Sequence, residues 1–289
     1  MIKMSKWFNR LNRWFSFLRK KRVVDDVYQL QQMLKTQGSH GKVYEGQNIK
    51  SHEHVVIKYI PQKVINFLEI ECLRTFSHPN IVRCIELFET KDGTYVVTEK
   101  CEGDLFDLID LKGGRFRSET EVSNIVRQLL LGLQYIHQKN IVHCDLKLSN
   151  IIYNYETDSV IKIIDFGSSQ YLEEGRFLEI IVGSTSFIAP EVLSGSYNKA
   201  CDLWSIGCIV FCMLFGYNPF NPDTKLDRDQ VFRNILKGFN SEIQKGFGSF
   251  FPTHIRVSSS ARNFISNLLI LDWRNRMTVE EALKHPWLK

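Results

Sequence analysis

The sequence predicts an α+β fold of two abutting lobes, a small β-rich one over about 23–100 and a larger, mainly helical one over about 101–289. Three observations point there. Short β-branched and aromatic runs dominate between 24 and 100. From Leu105 onward, long stretches carry apolar residues at helical spacing. No Pro/Gly/Ser-rich linker, internal repeat or low-complexity tract separates the two parts. With 289 residues, 44% hydrophobic and 24% charged, the composition is that of an ordinary globular chain, which excludes collagenous, coiled-coil and wholly disordered classes.

Taken in order, residues 1–22 hold eight Lys or Arg (Lys3, Lys6, Arg10, Arg13, Arg19, Lys20, Lys21, Arg22) and no acid, among which stand Met4, Phe8, Leu11, Trp14, Phe15, Phe17 and Leu18. This is the pattern of a basic amphipathic helix, suited to a membrane surface or a calmodulin-like partner. The rival readings are a plain solvated or lobe-packed helix and a mitochondrial presequence, the latter weakened by the two tryptophans and few serines. In the small lobe, strands are expected over 42–47, 54–60, 81–89 and 94–99. One helix is expected between the second and third, opening at Pro61, because proline suits a first helical turn. In the large lobe, 119–138 places Val122, Ile125, Val126, Leu129, Leu130, Leu133 and Ile136 on one 3.6-residue stripe, and further helices are expected over 201–215, 259–271 and 279–283.

The net charge of +5 comes from 37 basic and 32 acidic residues, and eight of the basic ones sit in 1–22, which leaves −3 for the remainder. A mildly acidic body lacks the clustered cation that a phosphate backbone needs, so no nucleic-acid partner is expected. Seven scattered cysteines without a C-x-x-C pair indicate neither a disulfide framework nor a zinc site. They favour a reducing, cytoplasmic setting, peripheral to a membrane if the tail binds one. The longest run without a polar side chain, 206–217, has 12 residues and is too short to span a bilayer as a helix. A monomer is expected.

The chemistry lies in four patterns. The turn Gln37-Gly38-Ser39-His40-Gly41-Lys42-Val43 has glycines that let backbone amides approach a polyphosphate, although by itself it reads first as an ordinary hairpin turn. Val55-Val56-Ile57-Lys58 ends a strand with Val56 and Lys58 on one face, and Glu69 follows in the helix, where its carboxylate could hold the ammonium or stand in solvent. His143-Cys144-Asp145-Leu146-Lys147-Leu148-Ser149-Asn150 and Asp165-Phe166-Gly167 each follow an apolar run. Together they are equipped for phosphoryl transfer. Asp145 can receive or orient a hydroxyl proton, Lys147 can neutralise the moving group, and Asn150 with Asp165 can offer oxygens to Mg²⁺.

At these residues the chain resembles the eukaryotic protein kinases of Ser/Thr type, through the catalytic-loop pattern H-x-D-L-K-x-x-N, the Asp-Phe-Gly triplet and Ala189-Pro190-Glu191. The resemblance spans about 33–289, and the segments 183–191, 201–207 and 272–288 look most like the calcium/calmodulin-dependent and calcium-dependent kinase group. It implies a bilobal protein kinase fold, ATP and Mg²⁺ as cofactors and a protein substrate. It puts adenine against Val43, Val56 and Ile152, with hydrogen bonds to the backbone near Glu99 and Cys101, and makes Thr98 a small gatekeeper with an open rear pocket. Gly38 and Gly41 would cover the phosphates, and Lys58, held by Glu69, would contact them. Asp145 and Lys147 would serve the transfer, with the Ser184 hydroxyl bonded to Asp145, and Asn150 and Asp165 would hold the metal. Glu191 would pair with Arg276, and Asp202 would brace the catalytic loop.

Several residues depart from the family's pattern. Thr36 stands at the first glycine of the phosphate loop, and Lys58 and Glu69 are closer in sequence than usual. Cys144 replaces the arginine that would receive an activation-segment phosphate. Between Gly167 and Gly183 the only hydroxyls are Ser168, Ser169 and Tyr171, whereas Glu173, Glu174 and Glu179 follow. An enzyme active without loop phosphorylation is therefore expected, with a pseudokinase serving as a binding module as the alternative. Recognition of an arginine upstream of the acceptor would fall to Asp104 or Glu102. No EF-hand pattern is present, so any calcium control is expected to come through another protein.

Overall fold

The computed structural model describes residues 24–37, 41–154, 160–222, 224–239 and 251–289. The amphipathic segment 1–22 and Gly38 lie outside the described residues.

The small lobe is a five-stranded antiparallel sheet of β1 (Tyr28–Gln37), β2 (Gly41–Asn48), β3 (His54–Pro61), β4 (Cys84–Glu89) and β5 (Gly93–Glu99), in the order β1-β2-β3-β5-β4. Alternation sorts its side chains. Val55, Ile57 and Val97 turn to one face and build a small core with Tyr28 and Phe88. The other parity puts Val43 opposite Lys58 and Val56 opposite Thr98, so these four share the face that looks toward the second lobe. A one-residue slip would exchange the two sets, and the buried core fixes the register against it.

The helix of this lobe, α1 (Phe67–Thr75), does not open at Pro61. Pro61 is extended, with ψ 143°, and pairs with Gly93 as the last residue of β3. A proline at a strand end gives up a ladder donor that is not required there. A single 3-10 turn, Gln62–Val64, follows, and α1 starts where the Asn66 side chain accepts from the Leu68 N–H. The strand expected over 81–89 likewise begins only at Cys84. Ile81 and Val82 are buried and bond instead to Ile163 of the large lobe, the Val82 N–H donating to its carbonyl at 3.0 Å.

The large lobe opens with β6 (Gly103–Asp104) and α2 (Leu105–Leu111) and is organised around α3 (Glu119–Gln138). The stripe of α3 is buried from Val122 to Ile136. The short strands β7 (Ile141–Val142), β8 (Ile151–Asn154), β9 (Val160–Ile163) and β10 (Gln170–Tyr171) carry the loops that face the small lobe, β8 pairing with β6 and β9, and β7 with β10. Then come α4 (Pro190–Leu193), α5 (Ala200–Phe215), α6 (Arg228–Lys237), α7 (Ser259–Leu268) and α8 (Val279–Lys284).

Helix α5 is buried from residue 201 to 215, which explains the unbroken apolar run of the sequence: it is a core helix with protein on all sides. Gly216, at φ 86°, closes it in the left-handed region. Helix α7 ends three residues earlier than its sequence pattern, at Leu268, where the Leu269 N–H caps back onto the Ile265 carbonyl. The short α2 and the amphipathic α6 were not separately anticipated. The bilobal α+β fold is thus established, a β-sheet lobe with one helix upon a helical lobe.

Candidate active site

On the small-lobe side of the cleft, Lys58 extends from β3 with its Nζ 2.8 Å from Glu69 Oε1 on α1 and 2.8 Å from Asp165 Oδ1 of the large lobe. One ammonium therefore ties three elements together. Burial alone pulls the Lys58 pKa down, but Asp165 and Glu69 outweigh it, and the net direction is up. Burial pushes Asp165 up, yet Lys58 and the Gly167 N–H hold it below the usual carboxylate range. Both shifts favour the charged forms of Lys58 and Asp165.

Val43, Val56 and Thr98 lie half-buried on the same sheet face, and Ile152 of β8 is half-buried across from them. Glu99 and Cys101 sit where β5 leaves the small lobe. The Glu99 carboxylate is occupied, accepting from the Arg83 N–H at 2.6 Å and pairing with Lys162 at 3.1 Å. Burial pushes the Cys101 thiol up to about 11. Neither side chain is thus spare for chemistry, and the backbone is what this stretch can offer a ligand. Gly41, at φ 112°, begins β2 with no room for a Cβ, which would meet the Tyr59 carbonyl.

On the large-lobe side, the loop after β7 presents Asp145. Its Oδ2 accepts from Lys147 Nζ at 2.8 Å, and its Oδ1 accepts from the Ser184 backbone N–H at 2.8 Å. The Ser184 hydroxyl, expected on Asp145, instead accepts from Lys147 Nζ at 2.9 Å. The ammonium sits between carboxylate and hydroxyl, and the main chain makes the bond assigned to the side chain. Asn150 is fully buried. Its Nδ2 donates to the Asp145 carbonyl at 2.8 Å and carboxylate at 3.2 Å, while its Oδ1 has no hydrogen-bond partner. Its carbonyl accepts from the Ile164 N–H at 3.0 Å, which sets it beside the chain that delivers Asp165.

A buried amide oxygen without a donor is uncommon in native proteins and suits a hard cation, as does the carboxylate of Asp165. Among the described residues no group of three His, Cys, Asp or Glu forms a cage. A cation held by one amide and one carboxylate would complete its shell with water and phosphate oxygens, as Mg²⁺ does.

The scaffold beneath is polar and buried. Asp202, 1% exposed on α5, accepts from His137 Nε2 at 2.8 Å and from the N–H groups of His143 and Cys144, each at 3.0 Å. Burial pushes its carboxyl up, but these donors prevail and hold it below the usual range. Cys144, at φ 66°, and Asp165, at φ 64°, both take the left-handed conformation next to reactive groups, a strain that such surroundings sustain. Phe166 is fully buried, its ring 5.4 Å from His143 and edge-on to Phe76 at 5.3 Å. Arg276 and Glu191 form a buried bidentate pair at 2.5 and 2.9 Å. Asp104, by contrast, is buried and caps α2 through the N–H groups of Phe106 and Asp107, whereas Glu102 is exposed.

Asn66 was not anticipated. Its oxygen caps α1, and its Nδ2 donates to the Gly167 carbonyl at 3.0 Å, tying the helix that carries Glu69 to the segment after Asp165. An asparagine three residues before Glu69 is a legible N-cap signal once the helix is no longer started at Pro61.

A cleft with a lysine bridging two acids above, and an aspartate, a lysine and an unpartnered amide oxygen below, between a sheet lobe and a helical lobe, defines a phosphotransferase architecture. The sequence profile of the protein kinase domain matches residues 31–288, and the chain belongs to the protein kinase family. It is 37% identical over 276 residues to calcium-dependent protein kinase 5 of Plasmodium falciparum, an alignment covering 92% of this chain and 46% of that protein. It is 36% identical to calcium/calmodulin-dependent protein kinase type 1 of Macrobrachium nipponense (92% of this chain, 76% of that one) and 32% identical to myosin light chain kinase A of Dictyostelium discoideum (92% and 89%). The chain thus spans about half the length of some of these relatives and most of others.

Proposed function

We propose that this chain is an active Ser/Thr protein kinase that transfers the γ-phosphoryl group of ATP to serine or threonine hydroxyls of a protein substrate, without needing a phosphorylated activation segment. The observation that carries the reading is the meeting of Lys58 and Glu69 of the small lobe with Asp165 of the large lobe, beside Asp145, Lys147, Ser184 and Asn150. The names of the relatives, all kinases, support the class.

In this reading Lys58 holds the nucleotide phosphates while Glu69 and Asp165 fix its direction. Val43, Val56 and Ile152 enclose the base. Asn150 and Asp165 would hold Mg²⁺, which supplies positive charge against the phosphate oxygens. Asp145 orients the acceptor hydroxyl and takes its proton. Lys147, already placed between Asp145 and Ser184, lies where charge develops. Asp104 is buried in its cap, so Glu102, which is exposed, is the one of the two acids that a basic substrate would reach.

The test is phosphorylation of a generic Ser/Thr peptide with Mg²⁺ and ATP. Asp145→Asn is expected to lower turnover by about 10²–10⁴-fold with the fold intact. Nucleotide binding without turnover in the wild type would instead make the chain a pseudokinase.

For residues 1–22 we propose a peripheral site on an anionic membrane, in a cytoplasmic protein. In the sequence, Met4, Phe8, Leu11, Trp14, Phe15, Phe17 and Leu18 stand among eight cations in a basic amphipathic pattern. Flotation with phosphatidylserine vesicles, phosphatidylcholine vesicles and Ca²⁺-calmodulin as separate arms decides this. Binding to calmodulin alone would replace the membrane.

A further inference from the structure

The residue that would accept an activation-segment phosphate is absent, yet the segment is in place against the catalytic loop. What holds it is a neutral cluster. Gln170, on β10 opposite Val142 of β7, donates from Nε2 to the Tyr197 hydroxyl oxygen at 2.5 Å and to the Ile180 carbonyl at 3.4 Å. The Tyr197 O–H donates to the same carbonyl at 2.5 Å. Cys144 Sγ lies 3.9 Å from the Gln170 amide. Tyr197 is fully buried, and its main chain exchanges hydrogen bonds with Leu178 at 2.8 and 3.1 Å. Burial pushes its phenol far up, so it stays an O–H donor at any working pH.

These bonds matter because the other contacts of the stretch lie ahead of Ile180, at Leu178 against Tyr197 and at Phe177, whose ring meets Trp273 at 5.6 Å. Phe177, Ile180 and Ile181 are exposed at 46%, 64% and 51%, and Leu178 is the buried side chain of the stretch. Ile180 is four residues ahead of Ser184, whose N–H holds Asp145 Oδ1 and whose hydroxyl receives Lys147. Between them Gly183, at φ 109°, lies so close to the Cys144 carbonyl that a Cβ would meet it at 2.5 Å. Fixing the Ile180 carbonyl therefore fixes where Ser184 arrives.

We propose that Tyr197 and Gln170 are positioning residues: through the Ile180 carbonyl they hold the activation segment so that Ser184 keeps Asp145 and Lys147 in their working arrangement, a task a charged phosphate site would otherwise perform. This rests on the kinase reading for its consequence in rate, but not for its consequence in order. An amide, a phenol and a carbonyl form the latch, so it carries no charge for a phosphate to complete.

The experiment compares the full chain with Tyr197→Phe, which removes one oxygen and keeps the ring, and with Gln170→Met. Each is measured for peptide kcat, ATP KM, melting temperature and amide hydrogen exchange. Loss of one such bond is worth about a factor of ten. The expected result is peptide kcat about ten-fold lower with ATP KM unchanged, and faster exchange confined to 178–184. Because both donors serve one carbonyl, the double variant should fall well short of a hundred-fold loss. Wild-type exchange and kcat in Tyr197→Phe and Gln170→Met would overturn the proposal. So would faster exchange throughout the large lobe, which would make Tyr197 a packing residue only, or a wild type that loses activity on phosphatase treatment. Should the wild type prove inactive, the kinase reading fails, and the exchange pattern alone still decides the latch.

Discussion

Replacing Asp202 by asparagine tests how far the catalytic loop depends on a carboxylate beneath it. The native carboxylate accepts three N–H groups, from His137 Nε2, His143 and Cys144. An asparagine has one oxygen, and its amide must face one of those donors with an N–H of its own. The better orientation keeps the oxygen toward His137 and His143, which share Asp202 Oδ2, and sets the amide against Cys144, which uses Oδ1. That leaves one buried N–H without an acceptor, at about 1–3 kcal/mol. The two remaining bonds weaken from charge-assisted to neutral, but burying a neutral amide also removes the desolvation cost of the carboxylate, so the net loss stays about 1–3 kcal/mol.

At about 2–4 °C per kcal/mol, the melting temperature of Asp202→Asn should fall by about 2–12 °C. The released N–H belongs to the residue immediately before Asp145, so the rate should fall further than stability suggests. A displacement of about 1 Å at a reacting group costs about 10²-fold. Acid titration gives the sign. Asp202 is held below the usual range, so its contribution is present above the unfolded value of about 3.9 and is lost as pH falls through the lower folded value. The stability gap between wild type and Asp202→Asn should accordingly close below about pH 4. Thermal melts from pH 7 to 3 beside steady-state peptide kinetics are the assay. A variant with kcat within about two-fold of wild type at an unchanged melting temperature would refute the reasoning.

Two further outcomes follow from the cleft. Lys58→Met leaves the carboxylates of Glu69 and Asp165 without the cation that both face, so binding of a fluorescent ATP analogue and turnover should each fall by at least about 10²-fold, while circular dichroism shows a folded chain; retained analogue affinity would place the phosphates elsewhere. Asn66→Ala removes the cap of α1, at about 1 kcal/mol by chemical denaturation, and also the bond to Gly167, so kcat should fall several-fold more than in a variant at another cap, Ser118→Ala on α3, which touches no catalytic element; equal effects would reduce Asn66 to a cap alone.

The sequence made the long-period features legible and missed those set by tertiary contact. Helix α3 runs over the span its stripe defines, because seven apolar residues at helical spacing leave little choice of boundary. The strands around Lys58 and Thr98 were readable from alternation. Pro61 misled because a proline fits both a first helical turn and a strand end, and what decided was the pairing with Gly93, more than thirty positions away. Ile81 and Val82 look like strand residues and are spent on Ile163 of the other lobe. Within the site, residue types and spacing pointed to Lys58, Asp145, Asn150 and Asp165. Which atom of Ser184 meets Asp145, and that Asp104 is spent on capping, depended on side-chain geometry that spacing does not encode.

Charge in this site is concentrated on the groups that would face phosphate, and the groups that aim them are mostly neutral. Lys58 pairs with Asp165 across the cleft, and Lys147 pairs with Asp145 within the loop after β7, so each charge has an opposite charge beside it. Their directions are set by the amides of Asn66 and Asn150, the N–H of Ser184 and the phenol and amide of Tyr197 and Gln170. Asp202 and Glu69 are the exceptions, acids serving as aiming groups, and both are buried where solvent screens them little. Neutral hydrogen bonds hold their geometry across pH and salt, whereas surface ion pairs do not. On the proposed reading such a cleft holds its working arrangement as a property of the fold, and silencing it would take breaking packed hydrogen bonds or blocking access, because withdrawing a charge from the activation segment would leave those bonds standing.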